Sequence, residues 1–137
     1  YTAHSVSLAA AEKTLTILAE TPVLADIASY GEKLQAGLGR ILGARNIPHC
    51  FVGHPSIGGM FLAAKAPTNY REWVHSDYTF YEALAPELHD RGVIVEPDSR
   101  EPWFISAAHD EACLNETLSA FEESVDATIE NLSGTVK

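Results

Sequence analysis

Two stretches of this chain repeat apolar residues at the spacing of a helix. One holds Val23, Ile27, Tyr30, Leu34, Leu38 and Ile41, the other Leu114, Leu118, Phe121, Val125 and Ile129. An apolar residue at every third or fourth position gives a helix one stripe that must be kept from water. Two such helices need a cover, and short segments with strand character lie between them. His49 to Val52 and Ile57 to Ala64 flank Gly53-His54-Pro55-Ser56, a turn by composition. Val93 to Val95 and Trp103 to Ser106 supply two more short strands.

Further helices complete the pattern. Ser7 to Glu20 carries Leu8, Ala11, Leu15 and Leu18 on one stripe, with Ser5 or Ser7 as the expected cap. Thr21-Pro22 reads as a cap followed by proline at the first position of the next helix, which Gly43 is expected to end. Trp73 to Asp90 reads as one helix closed by Arg91-Gly92, with Pro86 inside it expected to remove a hydrogen bond and bend it. The tail from Asn131 is expected to fray. This order predicts an α+β fold: a small, largely antiparallel sheet of about four strands with helices packed on one face.

At 137 residues and 46% hydrophobic, the chain has enough apolar surface for one domain with one core. Its net charge of -10 repels phosphate backbones and anionic lipid, so neither nucleic acid nor a membrane is an expected partner. Cys50 and Cys113 lie far apart in sequence and form no C-x-x-C pair, which points to small buried hydrophobes in a reducing cytoplasm. The chain begins at Tyr1 rather than Met, directly before a helical pattern, so further residues are expected to precede it.

Candidate chemistry is sparse. His4, His49, His54, His75, His89 and His109 show no i,i+4 pair or neighbouring cysteine, so no metal site is expected. Ser56 and Ser106 lack the G-x-S-x-G context of an activated nucleophile. The glycines of Gly53 to Gly59 fit neither a phosphate loop nor a dinucleotide fingerprint and read as a strand connection. The charged set Glu96, Asp98, Arg100 and Glu101 stands out, because Pro97 and Pro102 restrict the backbone that presents it. Such groups can orient a charged substrate, although a solvated loop on an acidic protein has the same composition.

Three segments together carry a family resemblance. Tyr1 to Ala11 looks like a Gly-Thr-x-x-x-Asn-Pro-Leu-Ala-x-Ala segment, and Gly58-Gly59-Met60-Phe61 resembles a Gly-Ser-Met-Phe strand. Gly92-Val93, Pro97, Glu101 and Phe104 to His109 are similar to a Gly-Val-x-x-x-Pro and Phe-Ile-Ser-x-Ala-His pattern with the same spacing. From Thr2 to Glu130 the chain thus resembles the C-terminal part of class III, fold type I pyridoxal-phosphate aminotransferases, in their glutamate-1-semialdehyde aminomutase branch.

That resemblance implies the small domain of a homodimeric, cytoplasmic enzyme that moves an amino group between a small amino acid or amine and a keto acid or aldehyde. Residues 1-20 would be the segment and long interdomain helix leading out of a cofactor domain, 21-130 the small domain and 131-137 a tail. Thr2 matches the position that contacts the phosphate of pyridoxal 5'-phosphate in the neighbouring subunit. Glu101 matches a glutamate near the substrate entrance. Arg100 stands where the branch has an aromatic residue, and its guanidinium suits a substrate carboxylate. The family's Schiff-base lysine belongs to the larger domain, and Lys13, Lys33, Lys65 and Lys137 fall on helical polar faces, a loop and the tail. No catalytic residue is therefore assigned, and the chain alone is expected to be inactive. The contrasting reading is a free-standing α+β module that binds a small molecule or a protein.

Overall fold

The structure, a computed structural model, describes residues 4-134. Along the chain run α1 (Ser5–Glu20), α2 (Val23–Ala44), β1 (Cys50–His54), β2 (Ile57–Phe61), α3 (Tyr70–Trp73), α4 (Tyr78–Asp90), β3 (Trp103–Phe104) and α5 (Glu111–Gly134). The core forms where α2, α4 and α5 converge beneath the sheet. Leu34, Leu38 and Leu42 meet Leu84 and Leu88 of α4, Phe121 and Val125 of α5, and Met60 of β2. Leu42, Leu84, Leu88, Phe121 and Val125 have no measurable exposure, so α2 and α5 bury their apolar sides together with that of α4.

Strand order is β1-β2-β3, antiparallel throughout. The β1–β2 hairpin closes at the His54–Ile57 pair through Pro55-Ser56, and Gly53 adopts a φ of 85°, where a side chain would be strained. Gly31 of α2 makes a still tighter contact with that turn, since a Cβ there would come within 2.0 Å of the Pro55 carbonyl oxygen.

Several boundaries differ from the sequence expectation, each for a local reason. Val93 to Val95 forms no strand, which leaves three among the described residues rather than about four. The His89 ring nitrogen Nε2 lies 3.2 Å from the Val95 amide and also contacts its carbonyl, so a side chain occupies the groups a ladder would use. The last strand contracts to Trp103–Phe104, though the Ile105 amide still donates to Ser56 O at 3.0 Å. The expected helix from Trp73 to Asp90 is two helices. Asn69 accepts from the Glu72 amide at 3.1 Å to start α3, and Asp77 accepts from the Phe80 amide at 3.1 Å to start α4. Pro86 stands inside α4 on its exposed side, and the helix continues past it to Asp90.

Thr21 does not cap α2. Its hydroxyl and its amide both donate to Ile17 O at the end of α1, and Pro22 takes the cap position of α2 with no side-chain bond. His4, rather than Ser5 or Ser7, caps α1 by accepting from the Ser7 amide. Gly43 lies within α2, and Asn46, at a φ of 57°, makes the exit. Helix α5 starts where Asp110 accepts from the Cys113 amide at 2.9 Å. It runs to Gly134 without fraying at Asn131, whose side-chain amide donates to Glu87 at 3.1 Å. Helix α1 buries none of its residues, and its apolar stripe faces outward.

Candidate functional site

The charged loop expected from sequence is a tight turn built on an aromatic base. Gly92, at a φ of 84°, lets the chain leave α4, while the Val93 amide still donates to Leu88 O at 2.9 Å. At residues 98-101 the Asp98 carboxylate accepts from the Arg100 amide at 2.9 Å, and the Glu101 amide donates to Asp98 O at 3.0 Å. Ser99, between two charged residues, is almost fully buried, and its Oγ accepts from Trp73 Nε1 at 2.9 Å.

Trp73 packs against two aromatic neighbours. Its ring centroid lies 5.3 Å from that of Tyr70 and 4.9 Å from that of Tyr78, on which it stacks. On this base rests the Arg100 guanidinium, 4.7 Å from the Trp73 centroid and 5.7 Å from that of Tyr70. Asp98 grips one edge of it, with Arg100 Nε donating to both carboxylate oxygens at 2.8 and 3.0 Å and Nη2 donating to Oδ2. Those bonds hold the Asp98 carboxyl down to about 2 and raise Arg100 in turn. Arg100 Nη1 has no hydrogen-bond partner among the described residues, and half of the side chain is exposed. Glu101 is exposed on the same turn, close enough to act on the Arg100 charge.

Of the three site residues expected from sequence, the structure thus brings Arg100 and Glu101 together, while Thr2 lies outside the described residues. Trp73 and Ser99, the residues that hold the turn, were not anticipated. They are separated by 26 positions, and no local spacing announces their pairing.

Beside the turn, a groove of about 330 Å³ opens along β3, walled by Tyr30, Val93, Val95, Phe104 and Ile105, with Glu96 and His109 among its polar groups. Under its floor Trp103 Nε1 donates to the buried Tyr81 hydroxyl at 2.9 Å. Burial, first of all, raises the Tyr81 phenol. His109 accepts from the Ser106 amide at 2.9 Å, and His54 sits 3.3 Å from the Ser56 amide. Each serine–histidine pair is therefore a local turn rather than a proton relay, which needs an orienting acid on the second ring nitrogen.

No family model matches the chain. It is 29% identical over 117 residues to glutamate-1-semialdehyde 2,1-aminomutase of Herminiimonas arsenicoxydans, covering 85% of this chain and 27% of that protein. The enzyme of the same name from Thermoplasma acidophilum is 36% identical over 94 residues, 69% of this chain and 22% of the enzyme. In three dimensions the chain resembles the FumI protein of Sphingopyxis sp. MTA144, solved in its PLP internal aldimine form. The TM-score is 0.80 at 28% identity, over 94% of this chain and 28% of that one. The chain thus spans little more than a quarter of the length of such relatives.

The described residues do not by themselves fit pyridoxal phosphate. No lysine or arginine lines the groove along β3, and Lys33 lies in a shallow pocket with Asp26, Asp110 and Glu111, which repel a phosphate. The likeness covers only about a quarter of those relatives, so this gap does not count against it. In sequence and in fold, most of the chain is thus similar to about a quarter of the pyridoxal-phosphate-dependent aminotransferases of the glutamate-1-semialdehyde aminomutase type.

Proposed function

We propose that the chain is the C-terminal small domain of a class III aminotransferase or aminomutase. The whole enzyme moves an amino group between an amino acid or amine and a keto acid or aldehyde, as a cytoplasmic homodimer. In this reading residues 1-20 lead out of a cofactor domain, and the domain from residue 21 onward forms the wall on the substrate side. Thr2 contacts the cofactor phosphate held by the neighbouring subunit. Arg100 receives a substrate carboxylate on the guanidinium edge that Asp98 leaves open, and Glu101 borders the entrance.

The observation that carries this proposal is the superposition of 94% of the chain on about a quarter of the FumI protein. Kinetics of the full-length enzyme test it. Arg100→Ala should raise the KM of a carboxylate-bearing amino donor by about tenfold or more, the worth of hydrogen bonds to a charged group. An unchanged KM removes Arg100 from substrate binding.

A further inference from the structure

Arg100 sits on the surface, where a long cationic side chain ordinarily samples many rotamers and binds a carboxylate weakly because ordering it costs entropy. Here that cost is met in advance by two devices that share one residue. The face of Trp73 lies 4.7 Å beneath the guanidinium, and the edge of the same ring, through Nε1, holds Ser99 Oγ at 2.9 Å and so ties down the backbone next to Arg100. Ser99 is 3% exposed, which makes this bond a fixed anchor. Asp98 occupies the Nε and Nη2 side of the guanidinium, which leaves the Nη1 side for an incoming anion.

We infer that Trp73 is a positioning residue: it fixes both the backbone and the guanidinium plane of Arg100, so that the open edge selects amino donors or acceptors bearing a carboxylate over simple amines. This rests on the reading of Arg100 as the carboxylate receptor and deepens it. Trp73 touches no substrate. It acts by holding a planar donor pair where a planar acceptor can meet it, and such pairing is sensitive to tilt. The charge balance fits a discriminating site rather than a strong anion trap. With Asp98 ionised the pair is neutral overall, so affinity depends on hydrogen-bond geometry more than on bulk attraction.

A double-mutant cycle in the full-length enzyme tests the inference, using a carboxylate-bearing amino donor and an amine without a carboxylate as paired substrates. Trp73→Phe keeps a ring face under Arg100 but loses the Nε1 donor, and it is a milder change to the packing than Trp73→Ala. We expect Trp73→Phe to raise the KM of the carboxylate donor by about threefold to tenfold, with kcat and the KM of the amine unchanged. In an Arg100→Ala background the same change should add nothing. If Arg100→Ala raises KM but Trp73→Phe leaves it alone, or adds its full effect on top, Trp73 does not position Arg100 and the inference fails while the Arg100 reading stands. If Arg100→Ala has no effect on KM, the Arg100 reading itself fails, and the inference with it.

Discussion

One substitution made at two places in α2 should change stability in opposite directions. At Gly31 an added Cβ would come 2.0 Å from the Pro55 carbonyl oxygen and 2.5 Å from its carbon, and ordinary contact begins at 3.4 Å. The obstacle is backbone, so no rotamer change relieves it, and helix and hairpin turn must part by more than 1 Å. Replacing an interior helical glycine by alanine gains about 0.5–1 kcal/mol of propensity. Overpacking of a well-filled contact costs roughly 1–3 kcal/mol, and a rigid backbone obstacle belongs at the upper end. Gly31→Ala should therefore destabilise the chain by about 2 kcal/mol. Gly43, in the same helix, has only His49 Cε1 at 3.9 Å, and Gly43→Ala should gain about 0.5 kcal/mol. Urea unfolding followed by circular dichroism decides between the two effects. With a slope of about 2 kcal/mol per molar, Gly31→Ala should lower the midpoint by about 1 M and Gly43→Ala should raise it slightly. Equal shifts for the two variants would refute the close approach of α2 to the β1–β2 turn.

Three further expectations concern the core and the charged turn. Ser124 is fully buried and its hydroxyl has no hydrogen-bond partner among the described residues, so Ser124→Ala should raise the unfolding midpoint, by about 1 kcal/mol in free energy. Tyr81→Phe removes the acceptor for Trp103 Nε1 and should cost about 1–2 kcal/mol in the same assay, with Phe121→Ala at roughly 3–5 kcal/mol as the reference for a core deletion. Asp98 is held down to about 2 by Arg100, and a depressed carboxyl contributes stability above its unfolded value near 4 that is lost as pH falls through about 2. Carbon-detected NMR titration should find its midpoint near 2, returning toward the ordinary carboxylate value in Arg100→Ala.

The helical stripes were legible because periodicity reports burial directly. Leu34, Leu38, Leu114, Phe121 and Val125 all lie in the core. Ends and pairings were not, because each depends on which of several nearby polar groups wins a contact. Thr21 serves the helix before it instead of the one after, Asp77 interrupts what reads as one helix, and His89 occupies the backbone of a segment rich in β-branched residues. In the candidate site, composition singled out Arg100 and Glu101 but not what holds them. The Trp73–Ser99 bond and the stack on Trp73 arise only when α3 is folded against the turn. The stripe of α1 was legible as amphipathic, and none of it is buried within this domain.

The most direct test of the central claim follows an isotopically labelled amino group from an amino donor to a keto acid in the presence of pyridoxal phosphate. The full-length protein should transfer the label in a cofactor-dependent manner, and the 137-residue chain alone should transfer none. Cofactor-dependent transfer by this chain alone, or no transfer by the full-length protein with any of a broad set of amino donors, would contradict its assignment as one domain of an aminotransferase.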